Sequence, residues 1–387
     1  MIHRIKIKGY KSLDVDVELS PEVTVLVGRS GSGKSNFVEA LRFLRDVLRD
    51  PTIIPNLNNN PEKRAEIEAL PKSGNGFSLE FCVEYTVPTF SERICYAFTL
   101  KDEVVPQYPK MICVSSESLK VGEDVYFSRE KTGWTVPPKI QGIPDKLVRD
   151  ELVLPLLHGI REVSFAFIAL AELLGIYYFP FDIGRNKPQR QSLKNDLADD
   201  GSNFRVVLDK IRADMSRATA WDDINESLRH LNPSITSVDM TALRGGDMLV
   251  THKFGDTFVP FPVEQESEGC RRFLVHLLAL YQTPPKLTLV FEEPENGIHP
   301  GALHLLADEF INAPAKKSGQ VILTTHNPYL LDFFSPKSIR LVEMEKFRTN
   351  ISPLNTEQLR AIQEDLINPG EYLMFSGYYL KSAPEEG

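Results

Sequence analysis

Residues Gly28 to Ser35 read Gly-Arg-Ser-Gly-Ser-Gly-Lys-Ser, and no other stretch of this chain restricts its fold so tightly. The pattern is G-x-x-x-x-G-K-[ST]. It lies between a short β-branched run, Val23 to Val27, and a segment from Asn36 to Leu48 with Phe37, Leu41, Leu44 and Leu48 at helical spacing. A strand, a glycine turn and a helix in that order make a phosphate cradle. Gly28, Arg29, Ser30, Gly31, Ser32 and Gly33 would turn successive backbone N–H groups inward around phosphate oxygens, with little side-chain bulk in the way. Lys34 would bring a mobile positive charge to the β- and γ-phosphates, and Ser35 a hydroxyl to Mg2+. Asn36 belongs to the opening of the helix, whose N-terminal dipole favours an anion.

The bulk numbers bound the rest. At 387 residues the chain has room for two or three compact units, or for one large α/β domain carrying an insertion. Hydrophobic residues at 42% and charged residues at 25% describe an ordinary globular protein. A net charge of −9 does not indicate a nucleic-acid binder, although Arg185, Lys187, Arg190 and Lys194 form a local basic cluster that could touch phosphates. In an acidic chain the plainer reading of that cluster is a solvated loop. The N-terminus alternates apolar and basic residues, unlike a signal peptide. The most apolar stretch, Val163 to Ile176, carries Glu172 and falls short of the roughly 18 residues a membrane span needs. Cys82, Cys95, Cys113 and Cys270 show no metal-ligand spacing and read as reduced thiols. The expectation is a cytoplasmic protein with no membrane partner.

Along the chain, Ile2 to Lys8 and Val15 to Leu19 read as strands. Pro51, Pro55, Pro61 and the Asn58-Asn59-Asn60 run read as a loop. From Gly76 to about Trp134, alternating runs such as Phe77 to Val87 and Ile94 to Leu100 predict antiparallel strands. Helical periodicity returns from Lys146 to Leu174, Ile176 to Phe181 reads as a strand, and Asp182 to Gly201 as a loop. Asn203 to Asp214 has Phe204, Val207, Leu208 and Ile211 on one helical face. Met248 to His252 and Thr257 to Phe261 predict a hairpin through Gly255-Asp256. Helices at Gly269 to Tyr281 and Gly301 to Ile311 then alternate with strands at Leu287 to Phe291 and Val321 to Thr325, the texture of a parallel sheet. No fixed-period repeat or heptad array is present.

Two further clusters carry chemistry. The strand Leu287 to Phe291 ends in Glu292 and Glu293. The first carboxylate is placed to hold Mg2+, a position more often Asp, and the second to orient or deprotonate the water that attacks a γ-phosphate. Thr324-Thr325-His326 ends the next strand, where open α/β sheets bind ligands, and His326 could hydrogen-bond the γ-phosphate and that water.

Taken in order, these pieces resemble the ABC ATPase superfamily, and within it the RecF/SMC-like branch that includes the ATPase half of OLD-family proteins. The opening Ile2 to Leu13, the cradle through Leu44, and Glu292-Glu293-Pro294-Glu295 with Ile298-His299-Pro300 are similar to that branch, which usually has Asn where this chain has Ser30. Ser267-Glu268-Gly269 resembles a degenerate ABC signature without its leading Leu and following Gln or Glu. Asp182 to Leu208 and Asn368 to Gly377 also look like small stand-alone ATPases of the branch. The resemblance implies an α/β, P-loop NTPase fold with an ABC-type head, a β-rich insertion and a helical lobe. It implies a discontinuous head over residues 1–50 and 176–387, with the helical and signature lobe at about 185–286, and a β-rich then helical insertion over 51–175. It further implies a composite site: Mg2+ and ATP held by Gly28 to Asn36, Glu292, Glu293 and His326 of one subunit of a homodimer, closed by Ser267 and Gly269 of the other. Gln189 is one candidate for the glutamine that links nucleotide state to the head.

What such an ATPase serves stays open among three readings. The first is a regulatory or sensor ATPase acting with a partner effector, a nuclease or toxin, in anti-phage defence. The alternative is a RecF/SMC-like DNA-repair or DNA-clamping head. A transporter ATPase subunit is the third, and both the departure at the signature and the Glu292 to Pro300 turn argue against it.

Overall fold

The structure, a computed structural model, describes residues 1–69, 76–87, 90–105, 108–131, 133–136, 147–159, 170, 175–177, 197–198, 201, 203–214, 218–240, 248–313, 319–364 and 367–375. The chain divides into two compact units, Met1–Leu174 with Lys337–Leu354, and Gly175–Pro336 with Asn355–Gly387. The basic cluster Arg185, Lys187, Arg190 and Lys194, the candidate Gln189, and most of the stretch from Val163 to Ile176 lie outside the described residues.

In the first unit, β1 (Ile2–Tyr10), β2 (Leu13–Glu18) and β3 (Val23–Val27) lead into α1 (Lys34–Arg49), α2 (Ile53–Asn59) and α3 (Pro61–Ile67). The antiparallel strands expected after Gly76 follow as β4 (Ser78–Val87), β5 (Phe90–Val105), β6 (Tyr108–Val121), β7 (Asp124–Glu130) and β8 (Gly133–Val136). Two late strands return to this unit, β15 (Ile339–Glu345) and β16 (Arg348–Pro353). Their order across the sheet is β8-β7-β6-β5-β4-β1-β2-β16-β15-β3. The antiparallel segment therefore extends the sheet from the edge of β1, while β3 runs parallel to β15. All five residues of β3 are buried, which is why the run is apolar without alternation.

Helix α1 is amphipathic and buries Phe37, Leu41, Phe43, Leu44 and Leu48. Phe43 joins a file of rings, with Tyr10 at 5.7 Å and Phe81 at 6.1 Å between centroids, and Phe81 continues to Phe98 at 5.3 Å. The helix of the phosphate loop thus meets rings of β1 and β4, and the ring of β4 is backed in turn by that of β5.

Two expectations are corrected by the structure. The proline-rich stretch after Asp50 forms α2 and α3, not a loop. Pro55 falls in the first turn of α2, where an N–H would lack an intrahelical acceptor in any case. Pro61 opens α3, and the Asn60 side chain caps that helix by accepting from Glu62 N and Lys63 N, both at 3.1 Å. The helix expected from Lys146 is likewise absent over 147–153, and Leu154–Gly159 is a 3-10 turn. The cause is a buried carboxylate. Glu117 accepts from Val153 N at 2.8 Å, Leu154 N at 2.9 Å and the Tyr96 hydroxyl at 2.9 Å, and pairs with Arg129 Nε at 3.1 Å. Arg129 in turn donates to the carbonyls of Val148 and Glu151. Side chains from β6 and β7 thereby take the backbone groups a helix would have used.

In the second unit, β9 (Gly175–Tyr177), β13 (Thr288–Glu292) and β14 (Gln320–Thr325) form a parallel sheet in the order β14-β13-β9. A second, antiparallel sheet holds β10 (Ile235–Met240), β11 (Met248–Phe254) and β12 (Thr257–Pro262), with the expected hairpin at Gly255. The helix expected from Asn203 spans Phe204–Ala213; the helix Ala218–Leu231 and strand β10 are elements that the sequence pattern does not announce. The helices Glu268–Tyr281 and Leu303–Asn312 meet over β13 through His276, Phe291 and Phe310, with Phe291 and Phe310 at 4.8 Å. Burial pushes the His276 pKa down to about 3, so the ring is neutral, and its Nδ1 donates to Arg272 O at 2.6 Å. Among the described residues no helix is long and apolar enough to cross a membrane.

Burial pushes the Glu117 carboxyl above its ordinary range, and the Arg129 guanidinium is the main force opposing this. Arg129→Met should strand a buried carboxylate and destabilise the protein by roughly 3–5 kcal/mol, measured by denaturant unfolding. The double variant Glu117→Leu/Arg129→Met should recover a good part of that loss.

Candidate functional site

The phosphate loop occupies the turn between β3 and α1, in the first unit. Gly28 leaves the strand so close to β15 that a Cβ there would lie 2.2 Å from Val342 O. Arg29 O accepts from Ser32 N at 3.1 Å, closing the turn, while Ser30 and Gly31 are exposed at its crest. Gly31 and Gly33 have φ of +78° and +102°, values that glycine adopts without strain. Ser32 Oγ is buried with no hydrogen-bond partner among the described residues.

Helix α1 starts without a side-chain cap, as α2 also does. The helices beginning at Pro61, Glu268 and Pro328 are capped by the side chains of Asn60, Ser267 and Asn327. Gly33 gives α1 no such cap, so the start of the helix offers its backbone N–H groups and dipole without a competing side-chain acceptor. Lys34 is buried and its ammonium lies on the loop's own carbonyls, 2.7 Å from Gly28 O and 3.0 Å from Arg29 O. Ser35 is exposed, and Asn36 Nδ2 donates to Ser12 Oγ at 2.7 Å.

In the second unit, Glu292 ends β13 opposite Thr324 of β14. Glu293 follows with φ +45°, a left-handed conformation unusual for a residue with a side chain and worth about 1–3 kcal/mol of strain. It is held there by Thr324, whose carbonyl and hydroxyl oxygens accept from Glu293 N at 3.0 Å and 3.2 Å. The Glu293 carboxylate is engaged at both oxygens: His326 Nδ1 lies 3.0 Å from Oε1, and Asn296 Nδ2 donates to Oε2 at 2.9 Å. Both Glu293 and His326 keep part of their side chains exposed, at 31% and 45%, so the pair is open to a ligand.

Ser267 caps the helix Glu268–Tyr281, its Oγ accepting from Cys270 N at 3.2 Å. Gly269 stands where a Cβ would come 3.0 Å from Gly297 O, and a Cβ on Gly297 would meet Arg272 Nε at 2.7 Å. The structure therefore brings Gly269 against the turn at Gly297 and Ile298. His299 itself accepts from Gly301 N at 3.1 Å and caps the short 3-10 turn Pro300–Ala302.

Glu295 belongs to the same motif, yet its place in the sequence assigns it no task. It is 5% exposed; Oε1 accepts from the Thr325 hydroxyl at 2.5 Å and Oε2 has no hydrogen-bond partner among the described residues. Thr325 Oγ1 also accepts from Asn327 N at 3.0 Å. The carboxyl thus ties down the residues on either side of His326. Burial raises its pKa, and the hydrogen bond from Thr325 and the charge of His326 oppose the rise. A signal was available in the sequence, because a third acid so close behind a buried strand end must be either solvated or enclosed.

A phosphate loop after a buried strand, followed in the chain by a strand ending in two glutamates and a strand ending in histidine, is the motif order of a P-loop domain of the AAA type. Residues 23–332 match the family model described as "AAA domain, putative AbiEii toxin, Type IV TA system", and the chain belongs to that family. Among solved structures it is similar to an Smc head bound to the C-terminal winged-helix domain of ScpA, at 15% identity, covering 92% of this chain and 98% of that one with a TM-score of 0.56. An SMC head domain from Thermotoga maritima gives 16% identity over 92% and 99% of the two chains, with a TM-score of 0.48. The head described with an extended coiled coil, bound to a ScpA C-terminal domain and derived from Pyrococcus furiosus, gives 14% identity over 94% and 99%, with a TM-score of 0.49. None of the curated proteins compared with the chain matches it.

Because the folded-state pKa of Glu295 is raised, its contribution to stability is largest below the ordinary carboxylate pKa and is lost as pH rises through the folded value. Glu295→Gln keeps an acceptor for Thr325 without the ionisation. Relative to wild type, the variant should gain stability in urea unfolding as the pH rises above the ordinary carboxylate range.

Proposed function

We propose that this chain binds Mg-ATP through residues Gly28 to Asn36 and hydrolyses it as one head of a homodimer. The observation that carries the reading is the start of α1, where left-handed glycines at 31 and 33 and the missing side-chain cap leave a backbone made for phosphate. On ATP binding, the Lys34 ammonium would exchange the carbonyls of Gly28 and Arg29 for β- and γ-phosphate oxygens. Ser35 and Glu292 supply the hard oxygen donors Mg2+ prefers, and the ion, when bound, would neutralise phosphate charge.

Glu293 is the general base in this reading, and His326 a hydrogen-bonding partner of the γ-phosphate and the attacking water. The contacts from His326 and Asn296 orient the base, and its left-handed backbone would be retained for that orientation. Ser267 and Gly269 of the opposite subunit would close over the nucleotide. ATP then favours the joined heads and hydrolysis releases them, a population shift driven by a ligand that prefers one state. We read the cycle as a regulatory switch in the cytoplasm that controls a partner effector, a nuclease or toxin, in anti-phage defence. The toxin–antitoxin wording of the family description and the acidic balance of the chain support this over a DNA-clamping head.

Lys34→Ala should abolish nucleotide binding or turnover. Glu293→Gln should bind ATP with near wild-type affinity while turnover falls by about 10²–10⁴-fold, and its dimer should persist in mass measurements with Mg-ATP. Wild-type turnover in Glu293→Gln would remove the base assignment. Strong, salt-sensitive stimulation of the ATPase by duplex DNA would transfer the chain to the DNA-clamping reading.

A further inference from the structure

Behind the phosphate loop the first unit holds a line of hydroxyls that the ATPase reading does not use. Asn36 Nδ2 donates to Ser12 Oγ at 2.7 Å, Ser12 Oγ lies 2.6 Å from Thr349 Oγ1, and Thr349 Oγ1 donates to Ser32 O at 3.1 Å. Ser12 is 6% exposed and Thr349 1%. The backbone repeats the tie, with Thr349 N donating to Ser12 O at 2.8 Å.

The direction of this relay is forced. An amide NH2 only donates, so Ser12 must accept from Asn36; a carbonyl only accepts, so Thr349 must spend its one proton on Ser32 O. Ser12 therefore donates to Thr349, and each hydroxyl gives one hydrogen bond and accepts one. In a trans peptide the carbonyl and the following N–H point to opposite sides. Holding Ser32 C=O toward Thr349 therefore turns Gly33 N–H away from the protein interior, to the side a phosphate would occupy. The same contact explains why residue 33 must be glycine in this fold: a Cβ there would lie 1.9 Å from Thr349 Oγ1.

We propose that Thr349, oriented by Ser12 and Asn36, is a positioning residue that sets the Ser32–Gly33 peptide of the phosphate loop for nucleotide binding. The proposal rests on the ATP-binding reading of that loop. Thr349 touches no substrate; it acts through one carbonyl, and the hydroxyl rather than the bulk of the side chain does so.

The test is equilibrium binding of ATP and ADP by the full chain, with circular dichroism to establish folding. Thr349→Val keeps the shape and removes the hydroxyl; it should weaken both nucleotides roughly tenfold, whereas Thr349→Ser should restore affinity to near wild type. Ser12→Ala, which removes the donor to Thr349 and the acceptor of Asn36 while leaving the Thr349–Ser32 contact in place, should weaken binding about threefold. It carries the test alone if the valine variant does not fold. A KM raised with kcat nearly unchanged is the expected kinetic signature in Thr349→Val. Wild-type affinity in folded Thr349→Val, or in Ser12→Ala where the valine variant fails to fold, would overturn the proposal. Such a result would leave the ATPase reading intact so long as wild type binds ATP and Lys34→Ala does not. Absence of ATP binding by wild type would overturn both.

Discussion

The close approach of Gly33 to Thr349 is the constraint on which the phosphate loop depends. A left-handed turn at the start of a helix is open to glycine alone when another strand stands directly behind it. Once residue 33 carries no side chain, the helix cannot be capped from within, and its backbone N–H groups face outward by default. A rule about backbone sterics thereby becomes a rule about ligand charge. The remaining parts of the first unit serve this turn: β3 is buried throughout and fixes where the turn begins, and the rings of Tyr10, Phe43, Phe81 and Phe98 fix the helix that follows.

The second unit solves a different problem by other means. Glu293 adopts a backbone conformation that most side chains avoid, and a set of polar groups maintains it: Thr324 on the backbone, His326 and Asn296 on the carboxylate. Beneath them Glu295 is enclosed and bonded to Thr325. Strain at one residue is balanced by hydrogen bonds at its neighbours, which is how a reactive carboxylate can be both exposed and oriented. The apolar floor under this arrangement is the His276, Phe291 and Phe310 cluster, in which even the histidine is neutral.

Much of this was legible in the residues because the signals were local. The glycine pattern, the helical spacing of Phe37, Leu41, Leu44 and Leu48, and the alternation from Phe77 to Val87 each depend on neighbours a few positions apart. What escaped depended on distant partners. The helices α2 and α3 were hidden by prolines whose acceptable positions show only when the caps are known. The segment after Lys146 had helical spacing, but its backbone is committed to Glu117, more than thirty residues earlier. Thr349 belongs to a hairpin that gave no sequence signal, and nothing near it in the chain hints at Ser32.

The separation between those last two residues, 317 positions, has a consequence for how the molecule comes into being. During synthesis the glycine turn and its helix emerge early, yet the strand that presses on them is among the last described elements to appear. Contacts between such distant points must wait until the intervening chain has been laid down and the loop entropy overcome. A growing chain would therefore carry its phosphate turn through the synthesis of the intervening residues without the hydroxyl that disciplines it. Competence to grip nucleotide would wait for that strand, so that in this fold a well-formed phosphate turn reports that β16 has reached it.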